Sequence, residues 1–186
     1  MMKQSILPQR GFYPQPAYLI GTYKPGHSPN FAFVTLVTGC SVNPPMILFA
    51  TRGHNITHQL IDEHRIFSAN MVNEALLPFA DFCGHHSGKD LDKMAGWEIA
   101  VEPGKVLDVP VLDISPLVYE CLCVGTYTQG DGILYIGEIK NIQIDSKINN
   151  PQYGNINLLD LEPVIYAPGA YYAVKDTLGR GGLSKG

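Results

Sequence analysis

The chain has 186 residues, 45% of them hydrophobic and only 16% charged, with a formal net charge of −4. That length carries one domain with a core of ordinary size, and the composition is that of a globular chain, not a disordered one. No run of Lys or Arg supplies the basic footprint of a nucleic-acid binder, so that class of partner is excluded.

Residues 1–11 lack the apolar stretch that opens a secretory signal, which predicts a cytoplasmic protein. Residues 17–24 read as a strand, and 24–29, rich in Pro, Gly and Ser, as a turn. A strand is predicted from Phe31 to about Ser41. Val42-Asn43-Pro44-Pro45 ends it, because two prolines remove donors and fix the backbone, and an apolar strand follows over 46–51. The apolar stretch 31–50 is long enough to raise a membrane span, but this interruption makes it two strands and a turn.

Ile56, Leu60 and Ile61 have helical spacing, with Asn55 or Thr57 as the N-cap. Residues 66–72 read as a strand and 74–83 as a second helix, with Gly84 just past its end and Pro78 tolerated in its first turn. A short helical turn is predicted over 91–95, stopped by Gly96. Residues 115–128 and 133–144 are long β-rich runs joined by Gln129-Gly130-Asp131-Gly132, which makes a hairpin. The apolar phase of the second run slips near Lys140 and Asn141, which predicts a bulge or bend. Pro168-Gly169 marks a turn near the end, and the Gly-rich tail from Leu178 reads as mobile.

About seven strands with two or three short helices predict a mainly β chain: a β-barrel with helical decoration, one domain over 1–186 with its core at about 14–175. Alternating βαβ units do not fit. Neither a dinucleotide-binding G-x-G-x-x-G after a strand nor a P-loop is present.

The four cysteines, Cys40, Cys83, Cys121 and Cys123, form no C-x-x-C pair and read as free thiols in a reducing compartment. His54 and His58 share a helix face and His85-His86 diverge in a loop, but no H-E-x-x-H occurs and no metal is expected. Ser87 lies beside two histidines without the nucleophile elbow of hydrolases. More informative are polar side chains spread along the β-structure. Asn30, Thr35 and Thr38 punctuate an apolar strand; Thr51, Arg52 and Thr57 follow where a strand meets a helix; Ser87, Gly88, Lys89 and Lys93 surround a Gly-containing turn. Hydroxyls, N–H groups at a helix start and a lysine are what an anion such as a phosphate needs.

The order of these pieces resembles the flavin reductase-like family of FMN-binding split β-barrels, which includes flavoredoxins. Asn30, Thr35, Thr38 and Pro44-Pro45 are similar to the family's Asn, Ser/Thr and Pro-Pro run. Asn55, Thr57 and Ile61, then Phe67 and Asn70, make a second piece. Ser87-Gly88 with Asp92-Lys93 matches Ser-Gly and Asp-Lys, and Glu120-Cys121 with Gly137-Glu138 matches the paired strands; Pro163 to Tyr171 also fits. The resemblance implies FMN as cofactor, NADH or NADPH as a donor, a homodimer with the flavin near the subunit boundary, and either reductase activity or electron exchange with a redox partner protein. It also implies that Asn30, Thr35, Leu36 and Thr38 lie along the flavin, with Thr57 near the phosphate, Lys93 approaching from the Ser-Gly loop and Tyr166 near the ring. Relatives often carry Trp where this chain has Leu36, and His where it has Gly132. The second difference removes a ring-facing donor and a nicotinamide contact.

Overall fold

A computed structural model describes residues 3–8, 12–53, 55–148, 151–152 and 156–179. The tail expected to be mobile lies outside the described residues from 180 onward, as does His54. Twelve strands and two α-helices run through the described chain: β1 (Gln15–Pro16), β2 (Tyr18–Lys24), β3 (Ser28–Val34), β4 (Val37–Val42), β5 (Pro45–Arg52), α1 (Ile56–His64), β6 (Ile66–Met71), α2 (Leu77–His85), β7 (Val101–Pro103), β8 (Pro110–Leu112), β9 (Leu117–Gln129), β10 (Gly132–Ile144), β11 (Val164–Ala167) and β12 (Ala170–Ala173). No helix among the described residues is long and apolar enough to cross a membrane.

Seven strands form one antiparallel sheet in the order β3-β2-β6-β9-β10-β5-β4. Its two edge strands, β3 and β4, are consecutive in the chain and joined only through Thr35 and Leu36. Laid flat, the sheet would hold those edges about 29 Å apart. Three Cα steps reach about 11 Å at most. The sheet must therefore curl until its edges meet, and it becomes a barrel split along the β3/β4 seam. The single strand expected from Phe31 to Ser41 is corrected accordingly: it breaks at Thr35-Leu36, where the chain crosses the seam.

The barrel core contains Ile20, Phe49, Ile61, Phe67, Cys121 and Tyr135. Gly137 is required there, since a Cβ would stand 2.4 Å from the Phe67 ring. Asn55 caps α1 by accepting the His58 N–H at 2.9 Å, and Arg65 ends it in the left-handed region at φ 58°. The β9–β10 hairpin turns on Gly130 at φ 62°, and its register shifts between Ile139 and Asn141, where the apolar phase slips.

Helix α2 starts later than expected and keeps Gly84 inside it; there the glycine faces Phe33, whose ring would lie 3.2 Å from an added Cβ. Residues 93–96 form a hydrogen-bonded turn and no helix. Five short strands escaped the sequence reading: β1, β7, β8, β11 and β12. β7 and β8 pair beside β6, tied to it by Ser68 Oγ donating to Pro110 O at 2.5 Å and by Leu112 N–H donating to Asn70 Oδ1 at 2.9 Å. β1 joins β11 and β12 in a small sheet that sets Gln15 opposite Tyr166.

Candidate functional site

Five of the residues singled out in the sequence meet in one cavity of about 360 Å³ at the barrel seam: Thr35, Leu36, Thr51, Arg52 and Tyr166. The topology explains the convergence. Thr35 and Leu36 are the two-residue bridge between the sheet edges, Thr51 and Arg52 close β5, and Tyr166 arrives on β11. Thr35 Oγ1 donates to Gln15 Oε1 at 2.7 Å, and Leu36 O accepts from Ala50 N–H at 2.9 Å, which fixes the bridge. Leu36 itself is 46% exposed, its side chain turned away from the core. Tyr166 stands in an aromatic cluster with Phe33 and Tyr171, ring centroids 6.2 and 5.4 Å away. Arg52 remains largely exposed, 3.5 Å from Asp131, a pairing too solvated to hold its charge firmly.

A second group lies buried at the start of α1. Asn30 Nδ2 donates to Thr22 Oγ1 and to Thr57 Oγ1, both at 3.1 Å. Asn30 Oδ1 is buried and has no hydrogen-bond partner among the described residues. Gly88 presses on that oxygen so closely that a Cβ would stand 2.2 Å from it and 3.2 Å from Ile56. Any side chain at 88 would separate the Ser87–Lys89 turn from the helix start. Ser87 is exposed, and its hydroxyl accepts from Lys89 N–H at 3.2 Å.

Two expected residues stand apart from these groups. Lys93 is buried, and its ammonium donates to Phe31 O and Cys83 O, each at 2.9 Å, so it clamps β3 to α2. Burial lowers its pKa, against a smaller opposing effect of Cys83. Thr38 opens onto a different cavity, of about 540 Å³, with Phe12, Tyr18, Met46, Tyr119 and Ile139. It is three residues from Thr35, yet the seam lies between them.

Gln15, Phe33, Asn55 and Gly84 also line the seam cavity and were not selected as site residues from the sequence. Asn55 carried a usable signal as a helix cap; Gln15 carried none, since its two-residue strand is defined only by its partner.

Below the cavity floor, the fully buried Tyr135 bonds through its hydroxyl to His58 Nδ1, and His58 Nε2 lies 3.3 Å from Asp62 Oδ2. Burial, with the charge of Asp62, raises the phenol pKa; the adjacent Thr51 hydroxyl lowers it. Thr51 Oγ1 is buried and makes no hydrogen bond of regular geometry among the described residues.

Among curated proteins none matches this sequence. Solved structures do. Flavoredoxin of Desulfovibrio vulgaris (Miyazaki F) is similar at 28% identity and a TM-score of 0.90, over 100% of both chains. Flavoredoxin from Methanosarcina acetivorans follows the same fold at 24% identity and a TM-score of 0.86, over 98% of this chain and 97% of that one. So does a split barrel domain protein of Shewanella frigidimarina, at 24% identity and a TM-score of 0.81, over 90% of this chain and 85% of that one. The flavin reductase like domain model matches residues 10–175, and with the split barrel it settles the family: the chain belongs to the flavin reductase like domain family.

Proposed function

We propose that this chain binds FMN at the barrel seam and serves as a flavoprotein oxidoreductase that takes electrons from NADH or NADPH. The observation that carries the reading is a pair of buried oxygens, Thr51 Oγ1 and Asn30 Oδ1, left without hydrogen-bond partners among the described residues, beside a cavity and a helix start. Such a group costs about 1–3 kcal/mol when unpaired. A polar ligand that bonds to it offsets that cost.

The residues fit the group. Thr22 and Thr57 hydroxyls can donate or accept, so the Asn30 amide satisfies both in either orientation. Turned over, it presents N–H where Oδ1 now faces Gly88. Together with the first N–H groups of α1 and the Ser87–Lys89 turn, this makes an anion-binding end for a phosphate. Leu36, Phe33 and Tyr166 make an apolar and aromatic end for a planar ring, and Arg52 adds positive charge at the mouth. FMN, when bound, supplies the redox chemistry; the chain supplies placement, polarity and exclusion of water. The 28% identity to a flavoredoxin over both full chains supports a flavin cofactor.

A second reading, a flavoredoxin-type carrier serving a redox partner protein, is favoured by Gly132. This residue pairs with Arg52 and lies beside Thr51, yet it offers no side chain to hold a nicotinamide. In either reading the functional unit is a homodimer. Support comes from the apolar cavity around Tyr18, Met46 and Tyr119 and from Val42, which is 93% exposed at the tip of the β4–β5 hairpin.

The test is titration with FMN, followed by anaerobic addition of NADH or NADPH. Binding of about one FMN per chain, bleaching by nicotinamide, and sedimentation as a dimer are expected. Absence of FMN binding at micromolar concentration rejects the cofactor. Bleaching only by dithionite, with electrons passed on to a protein acceptor, selects the carrier. A monomer in the loaded state rejects the dimer.

A further inference from the structure

Gln15 is buried at the seam, and one end of its side-chain amide is left over. Oε1 accepts from Thr35 Oγ1 at 2.7 Å, while Nε2 donates to no acceptor among the described residues. That nitrogen is not sealed away either. The buried side-chain polar atoms without a hydrogen-bond partner among the described residues are Asn30 Oδ1 and Thr51 Oγ1 alone. Nε2 therefore opens onto a cavity.

Strand register identifies which one. In the β1/β11 pair, Gln15 lies opposite Tyr166 and Pro16 opposite Ile165. Residues directly opposite share a sheet face, and neighbours along a strand take opposite faces. Tyr166 lines the seam cavity, whereas Pro16 and Ile165 line a separate, apolar cavity of about 330 Å³. Gln15 borders both, but its amide is held by Thr35, which lines the seam cavity and not the other. The unused N–H groups thus stand beside the Tyr166 ring and the Thr35-Leu36 bridge.

We infer that Gln15 binds the edge of a planar ring lying in the seam cavity, its Nε2 donating to a carbonyl oxygen of that ring. The inference rests on the flavin reading above, since the flavin ring carries two carbonyls on its polar edge. Leu36, Phe33 and Tyr166 offer apolar and aromatic surface, which holds a ring by its faces and leaves it free to turn in its own plane. A single polar group in such a wall fixes the orientation and selects rings with a matching acceptor. A ring with a hydrocarbon edge would instead cover the amide and leave it unpaired, at a cost in affinity. Holding the Thr35 bridge does not explain the choice of an amide, because that bond needs an acceptor and no donor.

The test compares the wild type with Gln15→Glu and Gln15→Met, using riboflavin as the probe because it has the ring and no phosphate. Gln15→Glu keeps an acceptor for Thr35 Oγ1 and loses the amide donors; Gln15→Met loses both. Each should weaken riboflavin and FMN alike, by roughly threefold to tenfold, as the loss of one hydrogen bond. In isotope-edited infrared spectra of bound riboflavin, a ring carbonyl band should move to higher frequency in both variants, because a carbonyl that loses a donor stiffens. A structural role confined to the Thr35 bridge would leave Gln15→Glu with wild-type affinity and wild-type carbonyl bands, and that result overturns the inference. So does a selective loss of FMN over riboflavin, which would place Gln15 at the phosphate. A wild type that binds neither flavin strikes the flavin reading instead. Gln15→Glu, which retains the Thr35 bond, keeps the test open should Gln15→Met fold poorly.

Discussion

Two polar clusters in this barrel are built to opposite rules. On β9, the Glu120 carboxylate is fully buried and saturated: Oε1 accepts from Lys105 N–H, Asn141 Nδ2 and Gln143 Nε2, and Oε2 accepts from Val106 and Leu107 N–H, all within 2.6–3.0 Å. At the seam and the start of α1, Thr51 Oγ1 and Asn30 Oδ1 are buried and unmatched among the described residues. A saturated cluster has nothing left to offer a ligand, and its energy goes into holding the 104–109 loop against the sheet. An unsaturated one is unstable on its own terms and gains when a ligand arrives. The contrast separates architecture from function more sharply than exposure does, since both clusters are buried.

Breaking the saturated cluster should have the largest effect. Glu120→Ala leaves five donors without an acceptor and should cost about 3–5 kcal/mol of unfolding free energy, read from urea denaturation. Glu120→Gln should cost less, because an amide still accepts at one oxygen. The acid response follows from the carboxylate. Burial alone would raise its pKa, but the bonds from Leu107, Asn141, Val106 and Lys105 outweigh it and lower it. Its contribution is therefore fully present above the ordinary glutamate range and is lost as pH falls through that range toward the lowered value. Glu120→Gln should be less stable at neutral pH and show a flatter decline in acid; a parallel decline in both proteins would reject the assignment.

What the sequence made legible divides along the same line. Local chemistry was readable: the Pro44-Pro45 break, the Gly130 hairpin, the Asn55 cap and the phase slip at Lys140-Asn141. That slip now has a purpose, since the bulge puts Asn141 opposite Glu120, where both it and Gln143 can reach the carboxylate. Long-range closure was not readable. Apolar residues run on across Thr35-Leu36, so nothing local reports that the sheet edges meet there. Thr35 and Thr38, both expected along the flavin, open onto different cavities. Strands β7 and β8 are three residues each and owe their place to Glu120 and Asn70, which are distant in sequence. The family resemblance pointed to residues that the fold gathers in part at the seam cavity, while hydrogen bonding shows which of them are already engaged.

Lys93 lies between the two rules and sharpens them. Its ammonium is buried like Glu120, but its partners are two carbonyls and no carboxylate. Lys93→Met removes an unpaired buried charge and strands two acceptors, so the net loss should be modest, about 1–2 kcal/mol by urea unfolding. Its clamp role predicts that FMN and riboflavin weaken together, in equal proportion. Selective loss of FMN over riboflavin would instead place the remaining ammonium proton on the phosphate.

The smallest effect should come from the seam itself. Leu36 is held by its own carbonyl, which accepts from Ala50 N–H, while its side chain stays half in water beside the cavity. Leu36→Trp should leave unfolding nearly unchanged, because the backbone bond is kept and no core position is disturbed. With a planar ring in the cavity, the indole gains a stacking face that leucine lacks, worth about 0.5–1.5 kcal/mol, or between about twofold and tenfold in affinity. Quenching of FMN fluorescence reads the change directly, and riboflavin should gain as much as FMN because the contact is with the ring and not the phosphate. Unchanged affinity in a stably folded variant would move the ring away from Leu36. The Asn30 and Gly88 end would then be left as the anchor for the phosphate, and the planar part of the ligand would have to lie elsewhere along the seam.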